Sequence, residues 1–300
     1  MDWQLLSQQV KSGETAAIAR AISLVENNIS GCSQLLESLQ LHPIPVVGIT
    51  GPPGAGKSSI VNELAQFWLG QNLKVAVIAV DPSSPFNFGA LLGDRLRMAG
   101  LFTHPGLFIR SLSSRGSLGG LSTGILETID IFKHAGFDRI IVETVGVGQS
   151  EVEIAGVADT TIVVTVPESG DEVQTLKSGV MEIADVFVVN KSDREGAARF
   201  AGHLRERARE NMTHETQVIE TIATTGKGID LLSEAISSHY RSLSQNPRKY
   251  LLMAEKLSRI VAKSRMQDFN TEQQARILQE EANKPGFNLY VYANQFNVNS

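Results

Sequence analysis

The chain has almost no cysteine. Cys32 is its one thiol in 300 residues, so no internal disulfide and no Cys-x-x-Cys metal or redox site can form. A reducing, cytoplasmic compartment is the expectation. Positive charge is also short: 27 Lys and Arg stand against 32 Asp and Glu, a formal net charge of −5. Nucleic-acid binding, which needs a basic surface, is not expected. No apolar run approaches the roughly 20 residues of a membrane span, so no membrane association is expected. The start, Met1-Asp-Trp-Gln-Leu-Leu, has no basic n-region and is not Arg/Ser-rich, and no signal or transit peptide is expected. What remains is 42% hydrophobic and 20% charged, the composition of a soluble globular protein with one large domain and appendages, or two small domains.

Hydrophobic spacing divides the chain in three. Residues 1–42 read as a helical extension, with Leu5, Leu6 and Val10 on one face, a break at Ser12-Gly13, then Ile18, Ile22 and Val25, and Leu35, Leu36 and Leu39. His42-Pro43-Ile44-Pro45 closes it, because proline cannot continue a helix. Residues 43–242 alternate helical stretches with short apolar runs: Val46–Thr50, Val75–Val80, Ile140–Val142, Ile162–Val166, Val186–Val189 and a weaker Val218–Ile222. Runs of this kind predict a doubly wound, mostly parallel α/β sheet with helices on both faces. Ligands then bind at the carboxyl ends of the strands. Residues 243–300 read as helical again, with a helix over Thr271–Ala282 and an alternating tail, Phe287–Val291, that reads as a strand.

The first predicted strand runs into Gly51-Pro52-Pro53-Gly54-Ala55-Gly56-Lys57-Ser58-Ser59. This fits G-x-x-x-x-G-K-[ST] between a strand and a helix. Glycines let successive N–H groups turn inward onto phosphate oxygens, and the helix adds its positive end. Lys57 supplies charge to the β and γ phosphates, and Ser58 offers a hydroxyl to Mg²⁺. A plain strand–loop–helix turn is the bland alternative, and it does not require the lysine and hydroxyl at these offsets.

Asn190-Lys191-Ser192-Asp193 follows a predicted strand. A carboxylate at Asp193 can accept from the two adjacent donors on guanine's Watson–Crick edge, which adenine does not offer. Asn190 can bridge base and phosphate loop, and the Lys191 stem can lie along the ring. Alone, the four residues could be a helix cap. Thr221-Ile-Ala-Thr-Thr-Gly226, with Ala223 and Thr224, stands where a short loop would back the base.

Another predicted strand ends in Glu143-Thr-Val-Gly146. Glu143 can hold a magnesium water, and the N–H of Gly146 can meet the γ-phosphate. Asp81 also ends a strand, and Asp94 follows in Leu92-Gly-Asp-Arg95. Ser58, Asp81, Asp94 and Glu143 are thus the expected metal-side oxygens, with helix capping the alternative for the aspartates. The place directly after the switch glycine, where a catalytic glutamine would stand, is Val147, so slow intrinsic hydrolysis is expected.

"GPPGAGKSS", "VDPSSP", "LGDR", "VETVGVGQSE", "SGDE" and "NKSD", in this order, resemble the MeaB/ArgK family, whose human member is the methylmalonic aciduria type A protein. The resemblance runs from about Trp3 to Tyr240; Phe86-Asn-Phe-Gly89 is bulkier than the stretch usual after "VDPSSP". It implies a GTPase chaperone that gates cofactor loading and protects an adenosylcobalamin-dependent acyl-CoA mutase of the methylmalonyl-CoA mutase type. It also implies GTP and GDP as substrate and product, Mg²⁺ as cofactor, and a homodimer to which the C-terminal segment contributes. By position, Lys57, Glu143 and Gly146 belong to the catalytic machinery. An additional switch falls on Glu168–Lys177, which makes Lys177 a candidate that completes the site.

Three rivals are weighed. A nickel- or zinc-delivery GTPase would carry His-rich runs or clustered cysteines as soft ligands, and this chain has six scattered histidines and one cysteine. A kinase of a transport-system binding protein would need a set of groups that activates a substrate hydroxyl, which is not evident. A nucleotide-binding scaffold without turnover would release no phosphate.

Overall fold

The computed structural model describes residues 1–81, 101, 103–113, 124–144, 153–167, 178–211, 216–243, 254, 257, 258, 260–262, 265, 266, 269, 271–281, 284 and 288–296. The chain forms two compact units, Met1–Leu252 and Met253–Ser300.

Among the described residues, seven strands make up the sheet of the first unit: β1 Val46–Thr50, β2 Val75–Asp81, β3 Leu107–Ser113, β4 Arg139–Thr144, β5 Thr160–Thr165, β6 Val186–Val189 and β7 Gln217–Glu220. Their order is β3-β2-β4-β1-β5-β6-β7, and every neighbouring pair is parallel. The order reverses about β1: β2, β3 and β4 lie to one side and β5 to β7 to the other. A doubly wound sheet binds its ligand outside the carboxyl end of the strand where that reversal falls. β3 had no counterpart among the predicted runs.

β1, β5 and β6 are buried at every residue, as strands covered on both faces must be. Alternation sends Val47, Ile49, Ile141, Ile162 and Val164 to one face, where α4 (Lys57–Gly70) and α8 (Ile229–Ser242) pack. Val46, Ile78, Ile140 and Val142 turn to the other, under α1 (Trp3–Lys11), α2 (Thr15–Glu26), α3 (Cys32–Glu37) and α5 (Ile125–His134). α6 (Ser178–Glu182) precedes β6, and α7 (Ala197–Asn211) covers Val163, Phe187 and Val189.

The amino-terminal helices thus share one core with the sheet. Val10, Ile18, Ile22 and Leu35 are fully or almost fully buried. Gly13 takes a left-handed turn at φ +79° just after Ser12 caps α1. Leu5, expected on the apolar face, is 52% exposed; the buried stripe of α1 runs through Leu6, Ser7 and Val10 instead. Buried His134 fastens this layer: its Nδ1 accepts from the N–H of Gln40 at 3.0 Å, and its Nε2 lies 3.0 Å from the Ser7 carbonyl.

In the second unit α9 spans Thr271–Glu281, within the expected helix. The expected strand over Phe287–Val291 is not found. Phe287 lies outside the described residues, and Leu289–Ala293 forms a short helix, α10. Asn288 explains the outcome: its Oδ1 accepts from the N–H of Val291 at 3.2 Å and its carbonyl from Tyr292 at 2.9 Å. This is N-cap chemistry, which here overrides the β preference of Tyr and Val.

Candidate nucleotide site

Three glycines of the loop after β1, Gly51, Gly54 and Gly56, take positive φ, and at two of them a neighbour leaves no room for a Cβ. Gly51 has φ +135°, and a Cβ there would stand 2.1 Å from the Val164 carbonyl oxygen of β5. Gly56 has φ +89°, and a Cβ there would stand 2.3 Å from Nδ2 of Asn190. Neighbouring strand ends therefore press on the loop from the side, and only glycine allows that approach.

Lys57 opens α4 and is only 6% exposed. A buried ammonium must be hydrogen-bonded. Its Nζ donates to the carbonyls of Gly51 at 2.8 Å and Pro52 at 3.1 Å, so the charge lies inside the curl of the loop. The next residue, Ser58, donates its hydroxyl to Oε1 of Glu143 at 2.7 Å. Glu143 is itself buried, aligned with Ile49 of β1 on one side and Ala79 of β2 on the other. Two adjoining oxygen donors at a helix start are the hard ligands that Mg²⁺ prefers.

Asn190 sits at the end of β6 and is 2% exposed. Its Nδ2 donates to the Ala55 carbonyl at 2.9 Å. Its Oδ1 accepts from the hydroxyl of Thr221 at 3.2 Å and the N–H of Ala223 at 3.1 Å. One amide thus joins the phosphate loop, the Asn-Lys-Ser-Asp turn and the Thr221–Gly226 segment. Lys191 adds a second tie, from left-handed backbone at φ +56°, by donating Nζ to the Gly54 carbonyl at 2.9 Å. Asp193 and Thr224 lie exposed on the turns so fixed, and Ala223 is buried. A cleft of about 420 Å³ opens among Pro53, Gly54, Lys57, Ser58, Glu143 and Lys191, within the size range of small-molecule sites.

Asp81 is the last residue of β2, aligned with Ser113 of β3; its side chain lies outside the described residues. Asp94, Gly146 and Lys177 lie outside them entirely. Sequence reasoning passed over Thr50 and Thr144, whose γ-oxygens meet at 3.0 Å with both residues fully buried. The available signal was a threonine at the last position of each of two strands, β1 and β4. Thr221, in the segment expected to back the base, instead holds the amide of Asn190.

A phosphate loop and an Asn-Lys-x-Asp turn tied together through one asparagine, at the reversal point of a parallel sheet, define a P-loop GTPase. More particularly, residues 18–276 match the family model described as "Methylmalonyl Co-A mutase-associated GTPase MeaB", and the chain belongs to this family. A protein of Pyrococcus horikoshii is 48% identical over 80% of this chain and 78% of its own. "GTPase ArgK" of Escherichia coli is 37% identical over 80% of this chain and 77% of its own. Among solved structures, one described as "LAO/AO transport system kinase" superposes with a TM-score of 0.68 at 26% identity, covering 98% of this chain and 96% of that one. Among the described residues, no helix is long and apolar enough to cross a membrane.

Proposed function

We propose that this GTPase is a chaperone of an adenosylcobalamin-dependent acyl-CoA mutase of the methylmalonyl-CoA mutase type, gating cofactor loading and protecting the mutase. The observation that carries the reading is the Lys57, Ser58 and Glu143 arrangement at the loop, in a chain whose family is named for association with that mutase.

In this reading Gly51 to Ser59 cradle the phosphates, and Asn190, Lys191, Asp193, Ala223 and Thr224 surround the guanine. The Lys57 ammonium neutralises charge that builds on the β and γ oxygens during transfer to water, and backbone N–H groups of the loop do the same. Magnesium would be held by the Ser58 hydroxyl, with Glu143, Asp81 and Asp94 as the further oxygens on its side of the site; bound there, it would supply further charge neutralisation. Gly146 contacts the γ-phosphate. With valine at position 147, turnover stays slow until a partner completes the site. The protein works as a homodimer in which residues 243–300 take part.

The test is phosphate release from GTP with and without the mutase that co-purifies from the native cell. The expected outcome is slow basal release that rises when the mutase is added. No release under either condition would leave a nucleotide-binding scaffold. The structural relative described as a transport-system kinase motivates a second reading, and the same experiment with labelled γ-phosphate separates the two. A kinase would leave label on protein, a GTPase in free phosphate.

A further inference from the structure

The backbone pairing of β1 with β4 ends at Ile49 and Glu143. One residue further on, the side chains continue it: the hydroxyl of Thr144 donates to Oγ1 of Thr50 at 3.0 Å. Both residues are fully buried. A buried hydroxyl is costly where a methyl would serve, unless its hydrogen bond is made. Valine has the same shape and stands two residues before Thr144, at Val142, and beside Thr50 in β5, at Val163. The two hydroxyls therefore call for a reason beyond packing.

Their position supplies one. Thr50 directly precedes Gly51, whose carbonyl accepts from the ammonium of Lys57. Thr144 directly follows Glu143, which accepts from Ser58. Because successive strand residues point to opposite faces, fixing Thr144 toward the face of Val142 fixes Glu143 toward the face of Ile141 and α4. At the last residue of a strand the ladder no longer enforces that alternation from both sides, and a side-chain bond can.

We infer that Thr144, acting through Thr50, is a positioning residue for the metal-dependent step. It pins the phase of the end of β4, so that Glu143 stays turned to Ser58 and the root of the γ-phosphate segment stays joined to the root of the phosphate loop. This rests on the reading of Ser58 and Glu143 as the magnesium side of the GTPase site.

The experiment measures the affinity of a non-hydrolysable GTP analogue with excess Mg²⁺ and with EDTA, in the full-length wild type, Thr144→Val, Thr50→Val, the double variant and Thr144→Ser. Each single valine variant is expected to reduce the Mg²⁺-dependent gain in affinity by about five-fold, the factor of one neutral hydrogen bond, with the affinity in EDTA unchanged. The double variant is expected to lose no more than either single one, and Thr144→Ser to keep the gain. Thermal unfolding checks that each variant folds, and Thr50→Val alone carries the test if Thr144→Val does not. An unchanged gain in folded valine variants overturns the inference, as does a double variant that loses the product of the two single effects. A wild type whose affinity is indifferent to Mg²⁺ overturns the magnesium reading itself, and this inference with it.

Discussion

The side-chain amide of Asn190 donates to the carbonyl of Ala55 across 2.9 Å, joining residues 135 positions apart. The same amide accepts from Thr221 and Ala223. Asn190→Ala would leave three buried polar groups short of a partner, each costing about 1–3 kcal/mol when left unsatisfied. The expected outcome is a lower urea midpoint together with weaker GTP binding, since loop and base turn would no longer be held to each other. Denaturation curves and nucleotide titration on the same preparation check both halves.

That tie shows what a sequence can and cannot disclose. The loop, the Asn-Lys-Ser-Asp turn and the parallel sheet were legible because each is local: a spacing of glycines, a four-residue turn, a buried aliphatic run. β3 was not, since Leu107–Ser113 reads Leu-Phe-Ile-Arg-Ser-Leu-Ser, and its arginine and serines break the run. As an edge strand it is only partly buried, and Arg110 finds its partner in Glu26 of α2. The Thr50–Thr144 bond was hidden for a different reason: it joins two unremarkable residues that become neighbours only through strand order. A helix stands at Leu289 instead of the expected strand because one asparagine, through capping, outweighs the strand-like alternation of Phe287–Val291.

Glu143→Ala should raise the Mg²⁺ concentration required for half-maximal hydrolysis, roughly ten-fold or more, as loss of an outer partner at a metal site does. The motivation is the 2.7 Å bond between Ser58 and Glu143, which places the carboxylate beside the hydroxyl expected to meet the ion. Steady-state phosphate release across a Mg²⁺ titration checks it. An unmoved titration would make Glu143 a purely structural residue at the strand end.

Asp193→Asn bears on the base. An amide cannot accept two hydrogen bonds from the guanine edge, whereas it can pair with xanthine, which offers an acceptor where guanine carries its amino group. A bidentate contact of this kind is worth about 1–3 kcal/mol, so GTP binding should weaken ten-fold or more while xanthosine triphosphate binding improves. Competition between the two nucleotides reads the ratio directly. An unaltered preference for GTP would remove Asp193 from the base site.

The alkaline limit of stability should depend on Tyr240. Burial pushes its phenol above the ordinary value of 10.0, Asp159 pushes in the same direction, and Arg139 opposes them. Arg139 itself is lowered, chiefly by burial, against the opposing fields of Asp138 and Tyr240, and its guanidinium lies 5.8 Å from the Trp68 ring. Because the folded chain keeps the phenolic proton at a pH where the unfolded chain releases it, the contribution is full below about pH 10 and is lost as pH rises through the raised value. Tyr240→Phe should therefore flatten the decline above about pH 10 and leave neutral pH little changed. Urea midpoints of both proteins across that range give the comparison.

The last expectation concerns coupling to the mutase. Pro167 to Gly179 follows β5, and the resemblance places a second switch on Glu168–Lys177. The expectation is that partner binding reorganises this segment so that Lys177, Gln174 or Asp171 reaches the nucleotide side. Valine at position 147 fits that arrangement, since it leaves the place of a catalytic glutamine without a group that could orient water. Lys177→Ala should then keep basal hydrolysis and GTP affinity near those of the wild type while losing most of the mutase-stimulated rate. Phosphate release measured with and without the co-purified mutase separates the two contributions. Stimulation at full size in the variant would make the segment a connector and move the coupling to another surface; loss of basal turnover as well would place Lys177 in the intrinsic machinery rather than in the switch.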